Sequence, residues 1–247
     1  MSGLVEVVPV RVPGTYEILG SDMQILNMEA GKLGKITANP GSMTYMAPSV
    51  KMSTNCNNPI GRCMSKESCI QSEFEGDGFL GLTPNFPAKV VPLNLGPGNG
   101  FRVKTGAFFA SFGNAVVNFD IDCNPLTCCC AGQGCVRQSI QGDGTAFVAA
   151  MGTLMTKELA AGEKLVIDTN SLVAWNENVK LDVRLAGGCC TICCGGEGLF
   201  NTVLEGPGTI YVQSMSYEKF KHAMTVFVQQ EQKKKGGAPP EGEEMER

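Results

Sequence analysis

Short apolar segments bounded by turn residues recur along most of this chain. Lys164–Asp168 and residues 209–213 are apolar, β-branched and aromatic, which is typical of strands. Residues 42–52, 107–121 and 171–185 are longer stretches of the same kind, and residues 4–12 form a strand-like lead-in before a Pro13-Gly14 turn. This pattern predicts an all-β body made of many short strands.

The pattern changes near the C-terminus. Tyr217, Phe220, Met224 and Phe227 recur at helical spacing, which predicts one amphipathic helix over residues 217–232 that packs on the β body. From residue 233 to 247 the chain carries a lysine run, paired glycines and prolines, and a glutamate-rich end. That composition predicts a disordered tail.

Two sets of markers divide the body into three repeats. Gly76-Asp77-Gly78, Gly142-Asp143-Gly144 and Gly206-Pro207-Gly208 lie about 65 residues apart. A second set, at residues 41–43, 106–108 and 170–172, keeps the same period. We therefore expect a lead-in over 1–30 and β repeats over 31–95, 96–159 and 160–216 that form one compact domain. The Gly-x-Gly triplets read as hairpin turns rather than phosphate-binding loops, because no strand–loop–helix context surrounds them.

Composition and charge narrow the classes of function. The 247 residues are 43% hydrophobic and 18% charged, with a formal net charge of −4. An acidic chain is a poor match for a phosphate backbone, so we expect no nucleic-acid partner. No secretory signal, mitochondrial presequence or transmembrane segment is visible, which predicts an intracellular protein and favours the cytoplasm over the mitochondrion.

Residues 195–200, Gly-Gly-Glu-Gly-Leu-Phe, continue into the run from Leu204 to Ser214, and together they resemble the signature of a known family. It is the mitochondrial biogenesis family, named for altered inheritance of mitochondria. Residues 86–93, Phe-Pro-Ala-Lys-Val-Val-Pro-Leu, are similar to its mid-chain segment. The resemblance covers residues 20–216.

This resemblance implies a fold like that of the tryptophan-binding RNA attenuation protein. Each repeat would be a short double-stranded β-helix or sandwich, and the three would form a pseudo-threefold body. The family brings no enzymatic activity and no site residues. Its fungal members imply a role in membrane or organelle organisation. The cysteine-rich loops are where this chain departs from the family.

All twelve cysteines fall between the β-rich stretch and the glycine triplet of each repeat. Several are adjacent, as in residues 128–130, 189–190 and 193–194, whereas disulfide frameworks space their cysteines along the chain. Reduced thiols or metal thiolates are the better interpretation. If the three repeats close around an axis, all three loops lie on one face.

Metal binding is the most specific hypothesis for these loops. Cys190 and Cys193 form a Cys-x-x-Cys pair, and Cys128, Cys130 or Cys135 of the neighbouring repeat would complete the site. Thiolates favour zinc or another thiophilic metal. Palmitoylated cysteines that dock the body on a membrane, redox-linked disulfides and inert apolar packing are the alternatives.

Catalysis has little support. The only histidine, His222, falls on the predicted helix, so no Ser-His or Cys-His pair can activate a nucleophile. Asp120 and Asp122 alternate in a strand, as acids on a β surface commonly do. We predict a non-enzymatic scaffold that binds protein partners or self-associates, with peripheral membrane contact as a further expectation. A thiolate metal-binding or redox-sensing module is the alternative.

Overall fold

The computed structural model describes residues 4–6, 11–56, 70–121, 136–185 and 200–234. Strands dominate these residues, as the alternation predicts. The strands are β1 (Val5–Glu6), β2 (Arg11–Val12), β3 (Tyr16–Leu19), β4 (Ile25–Glu29), β5 (Ile36–Ala38), β6 (Met43–Met46), β7 (Lys51–Asn55), β8 (Gln71–Glu75), β9 (Phe79–Leu82), β10 (Lys89–Leu95), β11 (Phe101–Val103), β12 (Phe108–Ile121), β13 (Val136–Leu159), β14 (Lys164–Asp168), β15 (Leu172–Asn176), β16 (Lys180–Leu185), β17 (Phe200–Glu205) and β18 (Gly208–Met215). A one-turn helix, α1 (Ala30–Leu33), follows β4, and a long helix, α2 (Tyr217–Lys234), follows β18.

The strands form three sheets in the described parts of the chain. The largest has ten strands and contains both long strands, β12 and β13. A five-stranded sheet runs in the order β2-β3-β4-β9-β6, and a three-stranded sheet in the order β14-β17-β16. The prediction of an all-β body followed by a C-terminal helix is confirmed.

The same strand pairing recurs at three places along the chain, always antiparallel. The strand that opens each predicted repeat pairs with the strand before the glycine triplet, and the partners lie about 65 residues apart from one repeat to the next. The corresponding pairs are Ile36 with Phe74, Phe101 with Ile140, and Leu165 with Leu204. The pseudo-threefold arrangement of the repeats stays a prediction.

The glycine triplets are not hairpin turns, so that interpretation is wrong. Gly142-Asp143-Gly144 lies inside the continuous strand β13. Gly76–Gly78 and Gly206–Gly208 connect strands of different sheets, β8 to β9 and β17 to β18. At Gly142, with φ +112°, an added Cβ would lie 2.1 Å from the carbonyl oxygen of Asn114. Glycine is required there because the backbone bends against its neighbouring strand.

The predicted position of the helix is correct, but the predicted packing of its apolar side on the β body is wrong. Helix α2 begins at Tyr217, as predicted, and ends at Lys234, two residues beyond the predicted end. However, Met224 and Phe227 are exposed instead of packing on the β body. Tyr217 in the first turn lies against Phe86 of the body, whereas the apolar side chains of the following described turns face solvent.

Three hydrophobic clusters form the core. The first two each include residues of the repeat that follows. Cluster one contains Phe147 and Ala149 among strands of repeat one, and cluster two contains Val173 and Ala174. Cluster three, around the fully buried Trp175, contains buried residues of repeats two and three alone. Neighbouring predicted repeats therefore share hydrophobic clusters, and that they form one compact domain stays a prediction.

Candidate functional site

The apolar side of α2 is exposed over most of its described length. We call it the helix stripe and define it as Tyr217, Phe220, Met224, Phe227 and Val228. These residues fall at the spacing of one helix face. Phe227 is 59% exposed and Met224 and Val228 are nearly as open. Contiguous apolar surface of this kind marks an interaction site more often than an accident of the fold.

Polar contacts hold the first turn of α2 to the β body. The Nζ of Lys104 lies 3.1 Å from Oε2 of Glu218, and Lys219 forms an ion pair with Asp168 at the end of β14. The backbone N–H of Lys219 donates to Oγ of Ser216 at 3.1 Å, which caps the helix. The Tyr217 ring lies 5.4 Å from that of Phe86. The orientation of the helix is therefore defined while its later turns stay accessible.

The charge on Glu218 is stabilised by this anchor. Partial burial of the carboxyl is the largest single effect and opposes ionisation, but Lys104, the backbone N–H of Glu218 and the Ser216 hydroxyl together hold the pKa of Glu218 below its ordinary value of 4.5. The Lys104 ammonium group is itself largely buried, with 10% of the side chain exposed. A buried cation needs a nearby anion, so the pair ties α2 to the body throughout the neutral pH range.

A cleft of about 530 Å³ lies between the N-terminal strands, helix α1 and the Gly76–Gly78 corner. Four of its charged side chains form two ion pairs. Arg11 lies 3.5 Å from Glu17, and Lys32 lies 2.5 Å from Glu29. Asp77 adds a third acidic side chain to the lining, and burial raises the pKa of Tyr16. The volume suits a small ligand.

The predicted metal ligands Cys128, Cys130, Cys135, Cys190 and Cys193 lie outside the described residues. Cys56 is described and is exposed beyond the end of β7. Within the described ranges no three His, Cys, Asp or Glu side chains come together as metal ligands. The thiolate site stays a prediction.

The strands that flank the cysteine segments end in matching positions. The last pairs before the segments are Asn55 with Gln71, Ile121 with Val136, and Leu185 with Phe200. The same kind of strand pair therefore precedes and follows each cysteine segment in the sequence.

His222, Asp120 and Asp122 are the residues considered for catalysis from the sequence. His222 lies exposed on α2, and Asp120 lies near the end of β12 while Asp122 falls outside the described residues. Sequence reasoning missed the cleft altogether. Arg11, Glu17, Glu29 and Lys32 belong to no motif, and only the folding of the lead-in strands over α1 brings them together.

Comparison with known proteins identifies the family. The model for the family described as mitochondrial biogenesis AIM24 matches residues 16–215, which include every strand from β3 to β18. The chain belongs to this family. The resemblance seen in residues 195–214 is therefore confirmed.

Two streptococcal proteins are similar to this member of the AIM24 family over most of its length. M6_Spy0233 of Streptococcus pyogenes serotype M6 is 32% identical over 209 residues, covering 79% of this chain and 82% of its own. The crystal structure of SPYM3_0169 from Streptococcus pyogenes superposes with a TM-score of 0.68 at 27% identity, covering 86% of this chain and 98% of that one. Among the described residues no helix is both long and apolar enough to cross a membrane.

Proposed function

We propose that this AIM24-family protein is a non-enzymatic β scaffold that binds protein partners in membrane or organelle organisation. The observation that carries the proposal is the helix stripe, an apolar helix face that the β body leaves uncovered. Amphipathic helices with exposed anchors at this spacing dock into hydrophobic grooves of partner proteins. Family membership supports a role of the mitochondrial-biogenesis kind.

The anchoring of α2 also supports a binding role. The ion pairs of Glu218 and Lys219 keep the start of the helix at one place on the body. A partner that covers the helix stripe would bury aromatic and methionine side chains, which dominate the energetics of protein interfaces. It would do so without first ordering the helix, which reduces the entropic cost of binding.

The test compares two single substitutions on α2. Phe227→Glu places a charge in the helix stripe, and His222→Glu places the same added charge at an exposed position off it. Full-length variants are expressed at the native level and their partners quantified by mass spectrometry after mild cross-linking. We expect Phe227→Glu to lose most captured protein and His222→Glu to retain it. Equal capture by both variants would contradict the proposal.

Lipid is the competing occupant of the helix stripe. Lys219 and Lys221 flank the apolar residues, as they do in helices that lie on anionic membranes. Co-sedimentation with anionic vesicles separates the two. If Phe227→Glu abolishes vesicle binding and leaves protein capture unchanged, the helix stripe makes peripheral membrane contact and does not bind a protein partner.

A thiolate metal-binding or redox-sensing module is the second candidate. The matching strand ends at Ile121 with Val136 and at Leu185 with Phe200 favour it, because the two richest cysteine segments then leave the body from equivalent strand pairs. Elemental mass spectrometry on anaerobically purified, chelator-free protein tests it. Stoichiometric zinc, copper or iron that disappears in the double variant Cys190→Ser, Cys193→Ser is the expected result, and protein without metal would contradict it.

A further inference from the structure

Strands β14 and β6 are two of the strands that end a sheet in the described structure, as β2, β7 and β16 also do. Strand β14 pairs with β17 on one side, and β6 pairs with β9 on one side. No described strand pairs with the other edge of either one. Free edges with open backbone donors and acceptors are templates for pairing with another chain.

The counterparts of these strands are joined to each other at two places inside the chain. The opening strand of repeat one, β5, pairs antiparallel with the start of β12 in repeat two. The opening strand of repeat two, β11, pairs in the same way with β15 in repeat three. Strand β14 is the opening strand of repeat three, and β6 corresponds to the start of β12 and to β15. They are the two halves of a third junction.

The two internal junctions have the same register. The pairs of the first are Ile36 with Phe112, Thr37 with Ser111, and Ala38 with Ala110, and those of the second are Phe101 with Asn176, Arg102 with Trp175, and Val103 with Ala174. Each is extended by one more backbone hydrogen bond. The N–H of Asn39 donates to the carbonyl of Phe109, and that of Lys104 to the carbonyl of Val173.

Burial differs between the closed junctions and the free edges. Ala110 and Ala174 are fully buried, whereas the corresponding Tyr45 on β6 is 36% exposed. Phe101 and Val103 on β11 are buried, whereas Leu165 and Ile167 on β14 are only partly so. Val166, between them, is 41% exposed. Apolar side chains that are buried in the internal junctions are therefore exposed or only partly buried at the two free edges.

The core clusters show the same deficit. Phe109 and Ala110 of repeat two complete cluster one, and Val173 and Ala174 of repeat three complete cluster two. Cluster three receives nothing from a following repeat. Side chains of β14 pack against cluster three, but no described side chains equivalent to those of β6 complete it.

From these matching halves we infer that the chain associates head to tail with copies of itself, β14 of one copy pairing antiparallel with β6 of the next. The register follows from the internal junctions: Leu165 opposite Ala47, Val166 opposite Met46, and Ile167 opposite Tyr45. The N–H of Asp168 would donate to the carbonyl of Thr44. This inference rests on the proposed scaffold function and names one partner, a second copy.

A second copy is the occupant because each free edge has its complement on the same chain. The chain does not satisfy its own edges, since β6 and β14 lie in different sheets. Such a head-to-tail contact closes into a ring when the rotation per copy permits and otherwise extends as a filament. Thr44 stands where the internal junctions have Phe109 and Val173, so less apolar area is buried and assembly is reversible and concentration-dependent.

Proline on either edge blocks the contact. In the internal junctions Thr37 and Arg102 occupy the position of Val166, and Ser111 and Trp175 that of Met46. Backbone N–H groups alternate in direction along a strand. Because Asn39 and Lys104 donate across the internal junctions, the N–H groups of Thr37 and Arg102, two residues earlier, also point across them. Val166→Pro and Met46→Pro remove these donors, and edge strands tolerate proline. Circular dichroism verifies that each variant keeps its β fold.

Sedimentation velocity on the full chain over a concentration series tests the inference. We expect the wild-type mass to rise to at least twice that of one chain, and each proline variant alone to stay at one chain. An equimolar mixture of the two should form a dimer and nothing larger, because each variant retains the edge that the other has lost. A mixture that stays monomeric, or a single variant that still dimerises, would overturn head-to-tail pairing.

A milder pair of substitutions guards against unfolding. Thr44→Glu charges the free edge of β6 at the position that the buried Phe109 and Val173 occupy in the internal junctions, where it would face Asp168 of the next copy. Thr54→Glu makes the same change at an exposed threonine of β7, outside both junction strands. We expect Thr44→Glu to abolish assembly and Thr54→Glu to leave it intact. Equal assembly of both variants, or wild type monomeric throughout, would overturn the inference.

Phe227→Glu separates this inference from the proposed function. It should assemble like wild type while losing captured partners. If Phe227→Glu loses assembly while Thr44→Glu keeps it, copies associate through the helix stripe, and the edge inference fails without affecting the scaffold proposal.

Discussion

At the scale of single residues, backbone conformation and ion pairing explain positions that hydrophobicity does not. The glycine triplets are visible in the sequence, but their role as bends depends on the neighbouring strand. Gly142 and Gly144 both have positive φ, and the carbonyls of Asn114 and Phe112 lie where a side chain would begin. The sequence indicates only that small, flexible residues are needed there.

Gly142→Ala should therefore destabilise the fold by roughly 2–4 kcal/mol, since it adds a steric clash to an unfavourable φ. Gly106→Ala is the matched control, with φ +81° and open space around the added Cβ. It should cost about 1 kcal/mol from backbone strain alone. Urea unfolding followed by the fluorescence of the single buried tryptophan, Trp175, measures both. Equal costs would show that the clash is relieved by a strand shift.

Glu73 makes the stability of repeat one depend on pH. Its carboxylate lies 2.6 Å from the Lys35 ammonium and accepts a hydrogen bond of 2.8 Å from Asn55. Lys35, more than Asn55, holds the pKa of Glu73 below its ordinary value of 4.5 against the opposing effect of burial. A lowered pKa in the folded state stabilises the fold above the unfolded pKa, and this contribution is lost as pH falls through the folded pKa.

Glu73→Gln should lower the free energy of unfolding at pH 7 by about 0.5–1 kcal/mol, because half of the Lys35 side chain faces water. It should also flatten the acid dependence of stability below the unfolded pKa. Urea titrations at pH 7 and at successively lower pH measure the slope. Glu75→Gln, an exposed glutamate on the same strand, is the control. An unchanged slope for Glu73→Gln would exclude the Lys35 pair as its source.

At the scale of elements, the apolar spacing of α2 predicts a helix correctly but not its surroundings. Periodicity records that one side of a helix is apolar, and packing on the body is the usual reason. Here the contacts that decide the position of α2 are the polar ones of Glu218 and Lys219, which lie off the apolar side. The helix stripe is left for a partner.

Lys104→Met should loosen α2 without affecting the β body. Removing the cation leaves Glu218 without its main partner, so we expect faster amide hydrogen exchange in the first turns of the helix and unchanged exchange in β12 and β13. Lys221→Met, exposed on the same helix, is the control. In the wild type the same loosening should occur on acidification below pH 4.5, as Glu218 becomes protonated. Slow exchange in Lys104→Met would show that the Tyr217–Phe86 contact is sufficient to hold the first turn of α2 on the β body.

At the scale of the whole molecule, long strands join the three clusters. Strand β13 contributes Phe147 to cluster one, Ile140 to cluster two and Leu159 to cluster three. Damage to one cluster is therefore transmitted along β13 to the others. Such a body should unfold in one step.

Phe147→Ala and Leu204→Ala test this cooperativity from opposite ends. Each removes a fully buried side chain and should cost about 2–5 kcal/mol. We expect either variant to shift one calorimetric transition downwards without splitting it, with calorimetric and van't Hoff enthalpies in agreement. Two resolved transitions, one of them unchanged from wild type, would show that the repeats unfold independently.

The sequence alone determined the β content, the period near 65 residues, the position of the C-terminal helix and the family. These features depend on neighbouring residues, because alternation, turn chemistry and helical spacing act over a few positions. The tertiary structure decided that the glycine triplets bend strands, that the helix stripe is uncovered, and that β6 and β14 keep free edges. Each of these depends on which distant segment of the chain lies alongside, and patterns over a few neighbouring residues do not encode that.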